Sequence, residues 1–131
     1  MNQDDKIKYW IELASRDLET ALKMLNNAEY HWALFIGHLV LEKSIKAYYS
    51  LANADTIPPK THDLVKLAKL SHLELNEDQI LFYNRVNDFN IEARYPDEKL
   101  NFYKLATLDF TKLNLDLIIK EHLWIKSLLM L

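Results

Sequence analysis

The chain has a single glycine and three prolines among its 131 residues. A sheet with many hairpins needs such residues at its tight turns, so this low supply favours a few long helices. The apolar residues agree, because they recur at three- and four-residue steps along most of the sequence. We therefore predict an all-α fold, an up-and-down bundle of four to five helices that forms one domain over residues 1–131.

The apolar spacing also predicts where the helices lie. The predicted helices are a first that ends near Asn26, a second from about Tyr30 to Ala52, a third from about His62 to Leu70, a fourth that opens at Asn76 and stops near Arg94, and a last from about Leu100 to the C-terminus. Thr61 is placed to cap the third helix, and Asn76 with Gln79 resembles a capping box. Pro96 disfavours helix at Tyr95.

Two details of the pattern leave alternatives open. Gly37 lies in the middle of the second helix, where it marks either a close helix crossing or room for a ligand. The segment DFTKLNLDL alternates like a strand, but a lone strand would have no partner, so we predict helix there as well. The stripe of the last helix is predicted to comprise Ala106, Phe110, Leu113, Leu117, Trp124 and Leu128.

Charge and composition limit the classes of function. With 16 Lys and Arg against 19 Asp and Glu, the net charge of -3 provides no overall attraction to nucleic acid or an anionic membrane. The absence of cysteine excludes disulfides and thiolate metal sites. The N-terminus lacks a secretory signal, and the longest apolar stretch is about half the length of a membrane span. We predict a soluble cytoplasmic protein.

Histidines are scattered singly at positions 31, 38, 62, 72 and 122, without a Glu-x-x-His or His-Glu-x-x-His motif. Glycine-rich phosphate loops and Gly-x-Ser-x-Gly elbows are also missing from the sequence. We therefore expect no metal and no cofactor, and we expect each histidine at a helix surface or a helix end.

Polar residues interrupt the apolar second helix in the segment LEKSIKAYY. Glu42 and Lys46 are four positions apart, which favours an ion pair on one helix face, and Lys43 lies about a quarter-turn away. Two interpretations remain: a solvated stripe that holds an ion pair, or a group of cations that binds an anion.

The segments PPKTHDL and ARYPD contain the other candidates. Asp63 suits the positive end of the third helix, whereas a protonated His62 there opposes the helix dipole, and that helix end could instead hold an anion. Arg94 either presents its planar guanidinium to a phosphate or forms an ion pair with Asp97 or Glu92.

These polar groups, in this order, resemble the HEPN family, small helical domains named for higher eukaryotes and prokaryotes and for nucleotide binding. The resemblance covers most of the first hundred residues. It rests on Trp10, Ala14, Asp17, Leu18 and Ala21; on Tyr30, Ala33 and the Glu-Lys-x-x-Lys-Ala signature of Glu42, Lys43, Lys46 and Ala47; on Thr61, His62, Asp63 and Leu64; and on Ala93, Arg94, Tyr95, Pro96 and Asp97.

The resemblance implies a helical bundle that pairs as a homodimer, with a groove at the dimer interface. Many members of the family act with a minimal nucleotidyltransferase as a toxin–antitoxin-like pair. Others are metal-independent ribonucleases with an Arg-x4-6-His site, in which arginine holds the scissile phosphate and histidine transfers a proton. Counting from Arg94, the positions for that histidine hold Lys99, Leu100 and Asn101, and none of them serves as a base at neutral pH.

Three hypotheses follow. The first is a non-catalytic or weakly active HEPN-type module that binds nucleotide or RNA phosphate, or docks a nucleotidyltransferase, through Lys43, Lys46, His62, Arg94 and Asp97. The second is a metal-independent ribonuclease with an altered site, in which His62 replaces the missing histidine beside Arg94. The third is a purely structural homodimer, suggested by the apolar C-terminal run SLLML.

Overall fold

The computed structural model describes residues 1–53 and 55–129, and this part of the chain is all-helical. Its elements are α1 (Gln3–Asn26), α2 (Tyr30–Ala52), α3 (Leu64–Leu70), α4 (Glu77–Asn87), a short 3-10 turn (Ile91–Ala93), α5 (Pro96–Leu105) and α6 (Leu108–Leu128). The all-α prediction is confirmed, with six α-helices in the described ranges where four to five were predicted. None of these helices is long and apolar enough to cross a membrane.

The second helix is the centre of the fold, as its apolar circumference predicted. It packs against α1, α3 and α6. Leu34, Leu41 and Ile45 are fully buried in this contact, and burial of each such side chain contributes about 1.5–3 kcal/mol.

Gly37 allows α6 to approach α2 closely. A Cβ atom at this position would lie 2.8 Å from Ile118 Cδ1 and 3.1 Å from Leu115 Cδ2. The close helix crossing is therefore the interpretation that the structure supports, because side chains of α6 already fill the space beside the glycine.

The third helix begins at Leu64, later than the predicted start at His62. Asp63 is its cap, because the Asp63 carboxylate accepts from Val65 N at 3.1 Å and from Lys66 N at 3.3 Å. The predicted cap at Thr61 is wrong: the Thr61 hydroxyl accepts from Asp63 N at 3.2 Å and so shapes the loop before the helix. His62 belongs to that loop.

The fourth helix opens on the predicted capping box. Gln79 N donates to Asn76 Oδ1 at 2.8 Å, and Asn76 N donates to Gln79 Oε1 at 3.0 Å. The predicted end near Arg94 is wrong, since α4 stops at Asn87. Asparagine and aspartate side chains compete for backbone hydrogen bonds and favour turns, and such residues are frequent from position 84 to position 90.

The predicted last helix consists of two helices. Pro96 opens α5 as its first residue, a position that proline favours, and Thr107 then starts α6 by accepting from Phe110 N at 3.3 Å. The predicted stripe is not the buried face of α6, and its member Leu113 is 58% exposed. The buried residues of α6 are Thr111, Asn114, Leu115, Ile118, Glu121, His122 and Ile125. The segment DFTKLNLDL is helical, as predicted, and the predicted end of the helix at Met130 and Leu131 lies outside the described residues.

Two histidines lie in the core rather than at a helix surface or end. His38 and His122 are both buried. His122 Nδ1 donates to Ser44 Oγ at 2.7 Å, while that hydroxyl donates to Val40 O at 2.7 Å. Burial, assisted by nearby Lys126, lowers the pKa of His122, so the neutral ring fits its apolar surroundings.

Candidate functional site

The loop before α3 is fixed against the end of α4. Leu64 N donates to Asn87 Oδ1 at 2.8 Å, and Asn87 Nδ2 donates to Asp63 Oδ1 at 3.0 Å. Because Asp63 also caps α3, these bonds hold the start of α3 beside the end of α4. The loop that carries His62 therefore faces the chain that follows α4.

His62 is attached to α2 at two points. Its Nδ1 donates to Glu42 Oε1 at 2.7 Å, and its carbonyl oxygen accepts from His38 Nε2 at 2.8 Å. A carbonyl only accepts, so His38 carries its proton on Nε2. Burial lowers the pKa of His38, and its neutral ring keeps this bond at neutral pH. The His62 side chain is still 66% exposed, so it is held in place and open to a ligand.

Glu42 is the buried junction behind His62. Its side chain is 5% exposed, and its second oxygen accepts from Lys46 Nζ at 3.3 Å, which is the predicted ion pair. The Lys46 ammonium also lies 5.1 Å from the centroid of the Trp10 ring. One carboxylate thus positions an exposed imidazole on one side and a lysine on the other.

Arg94 directly follows the 3-10 turn, in extended backbone. Its guanidinium pairs with Asp88 and lies 3.6 Å from Glu98 Oε2. The predicted partners, Asp97 and Glu92, are therefore wrong. Glu98 is four residues after Arg94 and lies in the first turn of α5, which places its carboxylate within reach of the guanidinium.

His62 and Arg94 line the same cleft, which has a volume of about 450 Å³. The walls come from the loop before α3, the end of α4 and the start of α5. The lining residues are His62, Asp63, Asn87, Asn90, Arg94, Tyr95 and Glu98. The fold thus brings together two residues that the sequence places in different elements.

The other predicted site residues do not line this cleft. Lys43 pairs with Asp17 on α1. Lys46 borders a different cavity, beside Trp10, and reaches His62 only through Glu42.

The first turn of α5 contributes a different acidic residue from the one predicted. Asp97 is exposed in that turn, and its neighbour Glu98 lines the cleft instead. Of the predicted set, Arg94 and His62 line this cleft.

Carboxylates compete for the cation in the cleft. The Arg94 side chain is 29% exposed, while its partners Asp88 and Glu98 are 68% and 50% exposed. Ion pairs with such exposed partners contribute about 0–1 kcal/mol. An anionic ligand that makes two hydrogen bonds to the guanidinium can displace them, because charge-assisted bidentate bonds are stronger.

Sequence reasoning missed two contacts that hold the loop of His62 in place. Nothing in the spacing showed that Glu42, expected to pair with Lys46, also binds His62. The Asn and Asp residues around Asn87 indicated a turn, but not that Asn87 would join α4 to α3. Both contacts join elements distant in sequence, and periodicity carries no signal for such contacts.

The fold and the cleft define an all-helical domain with a polar site between the loop before α3 and the start of α5. A model of the HEPN domain matches residues 7–120, and the chain belongs to the HEPN family. The crystal structure of TT1696 from Thermus thermophilus is similar over 97% of this chain and 98% of that chain, with a TM-score of 0.77 at 21% identity. At this identity the likeness concerns the fold alone. The search among curated proteins gave no match.

Proposed function

We propose that this HEPN protein is a binding module that holds a phosphate group of a nucleotide or of RNA between Arg94 and His62. The observation that carries the proposal is that both side chains line one cleft. Arginine offers a planar fork of donors that matches a phosphate. The imidazole of His62 is held by Glu42, and Asn87 adds an amide at the wall of the cleft.

Substitution of Arg94 tests this proposal directly. Arg94→Ala is expected to weaken binding of adenosine monophosphate about 10- to 100-fold, because a hydrogen bond to a charged group contributes about 1.5–3 kcal/mol. Asp88→Asn is expected to strengthen binding by up to about fivefold, since it removes a carboxylate that competes for the guanidinium. Isothermal titration of both variants and the wild type gives the affinities.

Arg16 provides the matched control, because it is an exposed arginine of α1 that pairs with Glu12. Arg16→Ala should bind the nucleotide as the wild type does. Equal affinity of Arg94→Ala and wild type, or no binding by either, would refute the proposed site. Weaker binding by Asp88→Asn would contradict the idea that carboxylates compete with the ligand.

A metal-independent ribonuclease is the second candidate, and the contact between Glu42 and His62 favours it. A carboxylate that binds Nδ1 orients an imidazole for proton transfer through Nε2, and an arginine beside it can stabilise a phosphate in the transition state. No hydrogen bond from another side chain occupies His62 Nε2 in residues 1–53 and 55–129. The position is therefore open to a substrate.

Cleavage of single-stranded RNA in the presence of EDTA tests the second candidate. Arg94→Ala and His62→Gln are both expected to reduce the rate at least about 100-fold, as for loss of a phosphate ligand or a general acid–base group. His72→Gln, a change of an exposed histidine outside the cleft, is the control. Cleavage by Arg94→Ala at the wild-type rate would reject this candidate.

The proposal extends to a cytoplasmic homodimer that acts with a nucleotidyltransferase in a toxin–antitoxin-like pair. HEPN membership supports this part, and so do exposed leucines on neighbouring helices, Leu81 of α4 with Leu113 and Leu123 of α6. A monomeric mass in solution would contradict the homodimer. A gene neighbourhood without a nucleotidyltransferase reading frame would count against the nucleotidyltransferase partner. The third hypothesis, a purely structural homodimer, remains if no ligand binds. The apolar run SLLML, which suggested it, lies partly outside the described residues.

A further inference from the structure

A second cavity lies where the start of α2 meets the 3-10 turn and α5. It has a volume of about 400 Å³, in the range of small-molecule pockets. The first turn of α2 contributes His31 and Trp32, α5 contributes Lys99 and Tyr103, and the 3-10 turn contributes Glu92. Every one of these residues belongs to the described part of the chain.

Aromatic rings form one wall of this cavity. The His31 ring lies 5.2 Å from the Trp32 ring and 4.8 Å from the Tyr103 ring, measured between centroids, and both pairs are tilted rather than stacked. Burial lowers the pKa of His31, which keeps its ring uncharged at neutral pH. The wall is therefore a set of neutral aromatic surfaces.

Two of these rings are largely exposed. Trp32 is 42% exposed and Tyr103 is 61% exposed. The two side chains are separated widely in sequence, yet they meet at one cavity instead of packing into the core. Flat exposed rings at the wall of a cavity suit a flat aromatic ligand, since stacking needs a free ring face.

The polar residues at the cavity indicate the chemistry of that ligand. Lys99 offers donors and Glu92 offers acceptors, and neither forms an ion pair with another residue in the described ranges. A phosphate would be repelled by Glu92. The edge of a nucleobase carries both donors and acceptors, and it suits one group of each kind.

We propose that this cavity binds a nucleobase, which stacks on Trp32 and Tyr103 and hydrogen-bonds to Lys99 and Glu92. The cavity and the Arg94 cleft share the start of α5, where Glu98 lines the cleft and Lys99 lines the cavity. The assignment of the base to the same nucleotide or RNA whose phosphate meets Arg94 rests on the proposed function. The base site itself does not.

Adenosine is the probe, because it has a base and no phosphate. Isothermal titration is expected to show that Tyr103→Ala weakens adenosine binding about 5- to 150-fold, the loss that corresponds to removal of one stacking ring. Tyr103→Phe keeps the ring and should bind within about twofold of the wild type. Trp32→Leu should weaken binding to a similar extent as Tyr103→Ala, and it provides a second variant if one of them fails to fold.

Two further variants separate this inference from the proposed function. Tyr9→Ala removes an exposed aromatic ring of another cavity and should leave adenosine binding unchanged. Arg94→Ala should also leave adenosine binding unchanged, even where it weakens binding of the monophosphate. If adenosine binds but Arg94→Ala and the wild type have equal affinity for the monophosphate, the base site is supported and the phosphate site is refuted.

Three results would overturn the base site. The first is no adenosine binding by the folded wild type at millimolar concentration. The second is equal affinity of Tyr103→Ala and the wild type. The third is adenosine binding that disappears as the protein concentration rises, which would make this cavity an interface between copies of the chain.

Discussion

Glu42→Ala is expected to lower the free energy of unfolding by about 3 kcal/mol. The Glu42 carboxylate is almost completely buried and accepts from both Lys46 and His62. Its removal leaves the Lys46 ammonium, itself 14% exposed, without a counter-charge. Breaking a buried ion pair costs about 3–5 kcal/mol, and the partial exposure of Lys46 places the expected loss at the lower end. Urea denaturation followed by circular dichroism measures the change.

Two comparisons isolate the buried position of Glu42. Glu12→Ala breaks another i,i+4 pair, with Arg16, in which both side chains are well exposed, and it should change stability by less than about 0.5 kcal/mol. Addition of Lys46→Met to Glu42→Ala removes the unpaired charge and should restore part of the loss. If Glu42→Ala costs as little as Glu12→Ala, Glu42 is not the buried junction that the contacts indicate.

Gly37→Leu is expected to lower the free energy of unfolding by about 3 kcal/mol or more, because α6 leaves no room for a side chain as large as leucine there. Gly37→Ala should remain within about 1 kcal/mol of the wild type. Its Cβ would meet terminal side-chain atoms of Ile118 and Leu115 rather than backbone, and alanine favours helix over glycine by about 1 kcal/mol. Thermal and urea denaturation of the two variants measure the difference.

Ile118→Val provides the matched test, because it deletes the Cδ1 atom closest to the added methyl group. In the wild type this change should cost about 0.5–1.5 kcal/mol. In the Gly37→Ala background the cost should fall, since the deletion relieves the contact. Independent, additive effects would show that the crossing of α2 and α6 has room to adjust.

Local signals in the sequence predicted the helices well where nothing remote competed with them. The capping box at Asn76 and the boundaries of α2 follow from neighbouring residues, and both are present in the structure. The boundaries failed where several residues offered the same chemistry. Either Thr61 or Asp63 can cap α3 by its residue type. In the folded protein Asp63 is the cap, and it also accepts from Asn87 Nδ2 of α4.

The last helix was mispredicted for a different reason. Apolar residues recur through α5 and into α6, but the helix is interrupted at Ala106 and Thr107. A continuous periodic pattern does not show that the axis has changed direction. The buried face of α6 was missed for another reason: it includes the polar residues Thr111, Asn114, Glu121 and His122, which an apolar pattern does not mark.

The candidate site was predicted in part. The residue pattern and the family resemblance together gave His62 and Arg94, and the structure brings both to one cleft. Their actual partners depend on how α2 and α5 approach the loops, so Glu42 behind His62 and Asp88 beside Arg94 were not predicted. The resemblance also supplied Lys43, whose contact with Asp17 places it on the face toward α1. Whether these residues bind a ligand stays a prediction.

Both halves of the Arg94 cleft are already ordered before any ligand arrives. His62 is fixed through its side chain and its carbonyl, and Arg94 is held by Asp88 and Glu98. A phosphate that enters would exchange one anion for another on the same guanidinium. Little conformational entropy is then lost, but the gain in free energy is reduced by the loss of the ion pairs that the ligand displaces. Such a site favours rapid release of the bound ligand, so the ligand would exchange quickly with free ligand in solution.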